Sequence, residues 1–584
     1  MIIIFLVQRR KQMIKIMKKL SLPAVSVALG FLLIQIFCNL YLPYLTADIV
    51  NLGILKGDIP YIWRQGGLML VFALISFVAA LINTYTSTKI ANKLGGQLRS
   101  EIYSKVLTFS KREYDDFGAA GLITRNTTDV NQVQGLVSMF LKFLVLAPLY
   151  LVGGIILTYL LSPKLSLIFI AVIPLMFVIA LVVYKFASPL YEKMQKQLDK
   201  LNLTFREGLT GVKIIRAFNK EEYEVNKYEN NNQIYTDMAI NAGTIMSVFM
   251  PFVTLLMNLT TIVIIWVGGH DIASGGTEIG TLIAVMNYAM QILLGFSLLA
   301  TVILTVPKGQ VSAKRIAEVM EKPLSIVETD NMTSQVLAGE LSFKHVDFRY
   351  YGAAKKVLND ISFSVKAGET LAIVGGTGDG KSTLIELISR MYEVDSGSIS
   401  IGGTVISSVV KEKLSQAVSI TSQKAILFQG TIRSNLLRAK ATATDAELWE
   451  VLENASAAEF VRKLSNGLDS PVEKAGGNFS GGQKQRLCIA RTLLKEAEIY
   501  IFDDSFSALD FKTDLAIRTA LKEKLKDKVT LIVAQRLNTI IDADCILVLD
   551  QGEVSGLGTH SELEATNHVY QEIIRSQVAK EDVA

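Results

Sequence analysis

Hydrophobic residues follow two regimes along this chain. Before Pro307 they form long runs, approximately Leu22 to Thr46, Gly66 to Thr86, Gly135 to Leu161, Leu165 to Phe186, Thr244 to Gly269 and Ile279 to Val306. About twenty apolar residues cross ~30 Å of hydrocarbon, so these runs predict about six membrane-spanning helices. Pro43, Pro148, Pro174 and Pro251 lie inside them, where neighbouring helices can mask the carbonyls that proline frees. From Gly339 the runs shorten to strand length, Leu341 to Phe348, Ile361 to Val365 and Leu371 to Ile373. The predicted organisation is a basic segment over 1–20, a membrane domain over 21–307, a linker over 308–338 and an α/β nucleotide-binding domain over 339–584. Pro307 and Pro323 flank a helical stretch of that linker.

The connections between spans are unequal. Ser162-Pro163-Lys164 and His270 to Glu278 are short, whereas Lys89 to Gln134 and Ala187 to Gly243 are long, charged and helix-favouring. With a cytoplasmic amino terminus, both long connections and the carboxy-terminal half fall on the cytoplasmic side, where the long connections can extend the spans as stalks. The loop around Gly268-Gly269-His270-Asp271, free of lysine and arginine, then falls outside. Polar residues within the spans, Gln35, Asn39, Asn83, Asn258, Asn287 and Gln291, suit either a substrate path or hydrogen bonds between helices. Lys142, near the start of a span, is expected to snorkel to the cytoplasmic interface.

Composition sharpens this picture. The 584 residues are 50% hydrophobic, and the mean hydropathy of +0.37 is high for a soluble protein. A net charge of +5, dispersed along the chain, gives no nucleic-acid footprint. Arg9, Arg10, Lys11, Lys15, Lys18 and Lys19 cluster just before the first span and read as a cytoplasmic anchor. Cys38, Cys488 and Cys545 are too scattered for a disulfide framework or a zinc site. The first span lacks a following small-residue cleavage site and is expected to be retained.

The candidate chemistry lies in the second half. Gly375-Gly376-Thr377-Gly378-Asp379-Gly380-Lys381-Ser382-Thr383 follows an apolar strand and opens a helix, the spacing of a P-loop whose backbone amides wrap phosphates. Lys381 would reach the β- and γ-phosphates, and Ser382 would ligate Mg2+. The apolar run Ile499 to Phe502 ends in Asp503, a second candidate magnesium ligand, followed by Asp504. Ser480-Gly481-Gly482-Gln483 opens a second helix with a good N-cap and exposed amides, an anion site that one γ-phosphate in the same chain does not require.

The P-loop, Phe479-Ser480-Gly481-Gly482-Gln483, Ser507-Ala508-Leu509-Asp510 and Gln423 together resemble the ATP-binding cassette family. The membrane domain ahead of them resembles its exporter half-transporters over nearly the whole chain. In that family two cassettes sandwich two ATP molecules, each held by the P-loop of one chain and the signature of the other, which implies a dimer. The resemblance further implies that Tyr350 stacks on adenine, that Gln423 senses magnesium and couples to the membrane domain, and that Asp510 bridges the two sites. Asp115 to Asp129 and Glu207 to Lys213 resemble parts of the cytoplasmic extensions whose coupling helices dock on the cassettes.

Two positions depart from the family. Efficient members carry glutamate after the magnesium-binding aspartate and histidine in a later switch loop, where this chain has Asp504 and Gln535. Aspartate retreats by roughly 1.5 Å from a water positioned for glutamate, and glutamine carries no positive charge. General acid–base groups contribute ~10²- to 10⁴-fold, so the expected site binds ATP and turns over slowly. The intact signature then predicts a heterodimer in which a different half-transporter supplies the competent site. The expected activity is ATP-driven export of an amphipathic solute, multidrug or lipid, by a multi-pass protein of the cell membrane with a cytoplasmic amino terminus and ATPase. The alternatives are a homodimeric exporter with its own active site, or a regulatory ATP-binding membrane subunit without pumping activity.

Overall fold

The computed structural model describes residues 10–328, 332–335, 337–534, 536 and 539–581. The chain divides into two compact units, one formed by Met1–Leu107 with Ala120–Glu321, the other by Thr108–Ala119 with Lys322–Ala584.

The first unit is helical. Among the described residues six helical spans are long and apolar enough to cross a membrane, Leu22–Ile54, Ile59–Leu107, Ala119–Leu161, Pro163–Val183, Pro251–Ala273 and Ile279–Leu299. The helix Ile59–Leu107 runs on past its apolar part, as do Pro163–Ala217 and Glu221–Ala273, which pack along one another. The sixth helix, Ile279–Met320, passes through Pro307, so the helical stretch expected beyond that proline is its continuation. Pro43, Pro174 and Pro251 all sit inside helices.

Polar side chains stitch these helices together. Asn39 Nδ2 donates to Tyr150 Oη at 2.8 Å, Ser76 Oγ donates to Asn39 Oδ1 at 2.6 Å, and Gln291 Nε2 donates to the Asn39 carbonyl at 2.9 Å. Asn83 Nδ2 donates to the Ala28 carbonyl at 2.8 Å. Each bond replaces water that hydrocarbon cannot supply, and such interhelical bonds contribute about 0.6–2 kcal/mol. Asn39, Asn83 and Gln291 thus act between helices, whereas Asn287 bonds the Ile283 carbonyl of its own helix. Close approach is also required at Gly295, where a Cβ would lie 2.9 Å from the Ala147 carbonyl oxygen. Lys142 Nζ reaches Thr88 Oγ1 at 3.1 Å.

The second unit carries two main sheets. Its strands are β1 (Leu341–Phe348), β2 (Leu358–Val365), β3 (Thr370–Gly375), β4 (Ser396–Ile401), β5 (Thr404–Val405), β6 (Val418–Thr421), β7 (Gly430–Thr431), β8 (Pro471–Val472), β9 (Ile499–Asp503), β10 (Val529–Val533), β11 (Cys545–Asp550) and β12 (Glu553–Gly558). The larger sheet runs β12-β11-β3-β10-β9-β6, parallel except for the β12 edge. The smaller, antiparallel sheet runs β2-β1-β4-β5. Leu371, Ala372, Ile373 and Val374 of β3 are buried, as expected of a central parallel strand covered on both faces.

A short helix, Lys111–Phe117, belongs to this second unit although it lies far back in sequence. Ser110 and Glu113 form its capping box, and the buried Glu113 also accepts the Ser325 amide at 3.0 Å. Tyr392 Oη donates to Asp115 at 2.9 Å, and Lys111 Nζ lies 3.4 Å from Glu386. The docked segment, Thr108–Ala119, begins ahead of the stretch Asp115 to Asp129 that the sequence suggested, and most of that stretch belongs to the first unit.

Candidate nucleotide-binding site

Open parallel sheets place ligands at the carboxyl ends of their strands, where chain direction leaves loops and helix amino termini. Here Ile373 of β3 pairs with Val533 of β10, which pairs with Asp503 of β9. The P-loop and Asp503 therefore emerge at one level, two strands or roughly 10 Å apart. Thr421, the last residue of β6, pairs with Phe502 and brings Gln423 to the same edge.

The cradle is shaped by glycines. Gly378 and Gly380 have φ of 98° and 94°, a region that side-chain-bearing residues avoid. A Cβ on Gly380 would also lie 2.6 Å from Leu358 Cδ2. Gly380 caps the helix Lys381–Ile388, whose first amides face the cradle. The Lys381 ammonium folds back and donates to the carbonyls of Gly375 and Gly376 at 2.9 and 2.5 Å. Burial lowers its pKa, while the carboxylates of Asp379, Asp503 and Asp504 favour its charged form.

Opposite the lysine, negative charge is crowded. Burial, Asp504 and Glu386 push the Asp503 carboxyl up to about 6, against the opposing effects of Lys381 and a backbone hydrogen bond from Gln423. Gln423 Nε2 donates to Asp504 Oδ2 at 3.3 Å. Asp504 itself holds φ of 45°, its amide donating to the Val533 carbonyl at 2.9 Å. Gln535 lies outside the described residues. Tyr350 stands over the same helix, its hydroxyl 2.8 Å from Thr383 Oγ1 and its ring edge-to-face with Phe348 and Tyr392.

The signature residues form a separate feature. Ser480 Oγ accepts the Gln483 amide and Gln483 Oε1 accepts the Ser480 amide, a capping box that opens the helix Gly481–Leu494. Gly482 has room for no side chain without approaching the Ala508 carbonyl oxygen, 3.1 Å from an added Cβ. Asp510 caps the next helix through the Thr513 amide at 3.1 Å. Among the described residues no hydrogen bond or ion pair joins Ser480–Gln483 to the P-loop. The structure thus brings together Tyr350, the P-loop, Gln423, Asp503 and Asp504, and leaves the signature and Asp510 apart.

Glu386, Lys111 and Tyr392 are the residues around this site that motif reading does not find. The Ser110-to-Glu113 capping-box spacing was the one available signal for where the docked helix starts.

Known proteins agree with this architecture. Residues 25–296 match the family model described as ABC transporter transmembrane region, and residues 358–507 match the one described as ABC transporter. An uncharacterized ABC transporter ATP-binding protein of Mycobacterium tuberculosis is 36% identical over 550 residues, covering 93% of this chain and 94% of its own. An ATP-dependent lipid A-core flippase of Albidiferax ferrireducens is 31% identical over 542 residues, covering 92% of each chain. The fold matches the structure of a bacterial Atm1-family ABC exporter with ATP bound, at a TM-score of 0.82 and 24% identity, over 95% of this chain and 99% of that one. Membrane helices, ATPase and relatives aligned over nearly the whole of each chain place the chain in the ATP-binding cassette transporter family, as an exporter half-transporter with its ATPase fused behind its membrane domain.

Proposed function

We propose that this chain is the slow-site subunit of a heterodimeric exporter. ABC exporters act as dimers and hydrolyse ATP. The observation that carries the finer reading is Asp504, where glutamate is expected. Its backbone is fixed by hydrogen bonds at both its amide and its carbonyl, the latter from Ser507 Oγ at 2.9 Å, so backbone movement does not make up for the missing methylene. Gln535 removes the second expected group. The capped signature helix, Gly481–Leu494, would serve the partner's nucleotide.

The donor set suits Mg2+, a hard cation that prefers oxygen ligands: Ser382, Gln423 and Asp503 would hold it, and the crowded carboxylates give it a favourable field. When bound, the ion neutralises phosphate charge. Lys381 orients the phosphates, the P-loop amides bind them, and Tyr350 would stack on the base. Orientation follows the charge pattern, with the amino terminus and ATPase cytoplasmic in the cell membrane. The cargo class is amphipathic, multidrug or lipid; the flippase named among the relatives supports the lipid side of that range.

The test is ATPase activity of the chain alone beside the chain co-purified with its partner. Activity confined to the pair, abolished by Ser480→Ala and barely changed by Asp504→Ala, supports the heterodimer. Fast hydrolysis by the chain alone, stopped by Asp504→Ala, replaces it with a homodimeric pump. Nucleotide-dependent regulation without vectorial transport in vesicles containing the pair would instead favour a regulatory subunit.

A further inference from the structure

The P-loop of this chain contains its own anion. Asp379 lies between Gly378 and Gly380, inside the loop whose amides are meant for phosphate. Its Oδ2 accepts the Gly376 amide at 2.5 Å, and its Oδ1 accepts the Gln551 amide at 3.3 Å. Gln551 belongs to the turn between β11 and β12, where it holds φ of 48°. One carboxylate thus fastens the start of the loop to a neighbouring strand turn. The same carboxylate is the foremost of the charges acting on Lys381, ahead of Asp503 and Asp504.

Two consequences oppose each other. The ties hold the loop in shape before nucleotide arrives, which favours binding. The fixed negative charge repels an incoming polyphosphate and partly satisfies the lysine that should receive it. A hydrogen bond tie is local and has a neutral substitute, whereas repulsion grows with ligand charge. Unit charges roughly 6 Å apart at an effective dielectric of about 20 change an equilibrium by about 100-fold, and half-exposure with salt screening reduces this to about tenfold.

We propose that Asp379 sets nucleotide affinity and the ratio of ATP to ADP binding by charge, weakening the more highly charged ligand more. The inference rests on ATP being the ligand of this P-loop, and holds whether the transporter is a homodimer or a heterodimer. A neutral side chain at this position would give a tighter cradle with a stronger preference for ATP.

The experiment measures equilibrium dissociation constants of MgATP and MgADP for the full-length transporter, with Asp379→Asn and Asp379→Ser compared with the unchanged protein. The serine variant guards against a folding failure peculiar to the asparagine variant, and thermal unfolding confirms that each is folded. The expected result is about tenfold tighter ATP and about threefold tighter ADP in the folded variants. Equal gains for both nucleotides, no gain, or weaker binding overturns the proposal. Lys381→Ala separates the premise: if ATP binding survives that change, the P-loop reading itself has failed.

Discussion

Asp504→Glu is the most informative single change. The residue occupies a left-handed backbone conformation with φ of 45°, which costs a side-chain-bearing residue about 1 kcal/mol whether it is aspartate or glutamate. Its amide is held by Val533 and its carbonyl by Ser507, each at 2.9 Å. With the backbone pinned at both ends, an added methylene carries the carboxylate outward by about 1.5 Å. A 1 Å misplacement costs up to about 10²-fold in rate, and a well-placed base contributes ~10²- to 10⁴-fold. The 3.3 Å bond from Gln423 is long, so releasing it costs little. Asp504→Glu should therefore raise kcat about 10- to 100-fold, and further with Gln535→His. Phosphate release would be measured at saturating MgATP in the purified dimer, with the partner's own site silenced if the dimer is mixed, and with ATP binding checked separately. A variant that binds ATP normally yet turns over within twofold of the parent would refute the argument that side-chain reach limits this site.

Other changes test other parts of the molecule. Gly380→Ala combines φ of 94° with a Cβ 2.6 Å from Leu358 Cδ2, and should cost about 2–3 kcal/mol and abolish ATP binding; a thermal midpoint unchanged from the parent counts against it. Asp503 has a folded-state pKa of about 6, above the ordinary carboxylate value of about 4, so the native state gains stability from its proton below about pH 4 and loses that gain as pH rises through about 6. Asp503→Asn should accordingly stabilise the metal-free protein by about 1–2 kcal/mol at pH 7 and by little at pH 4, and an equal effect at both would exclude charge burial as the cause. Tyr392→Phe removes the bond to Asp115, worth about 1 kcal/mol, and should speed proteolytic cutting within 108–119 severalfold; unchanged cutting would mean that the bond does not hold the segment.

Much of the fold is legible in the sequence because it depends on local patterns of great length or strictness. A membrane span declares itself through some twenty apolar residues, and the P-loop through glycines that few other backbones need. Asp503 was legible because it ends an apolar strand downstream of that loop. What remained hidden depends on contacts between residues remote in sequence. Tyr392 and Asp115 are 277 positions apart, and neither stands out in its own neighbourhood. Glu386 reads as an ordinary helix residue until the fold sets it beside Lys111 and Asp503. Pro307 misleads in the other direction, because a helix boundary is the common outcome at proline, yet the helix Ile279–Met320 passes through it. Asp379 was visible as a member of the motif, but its bonds to Gly376 and Gln551 were not.

The interleaving of the two units has a practical consequence for dissecting the protein. The backbone passes between them at three places, after Leu107, after Ala119 and after Glu321. A fragment beginning at Lys322 would carry the P-loop and signature but lose the Lys111–Phe117 helix, leaving Glu386 without its lysine and the Ser325 amide without Glu113. Such a fragment is an injured ATPase rather than a free one. Joining residues 108–119 to its amino terminus through a flexible linker would restore these contacts and give a soluble unit closer to the native one.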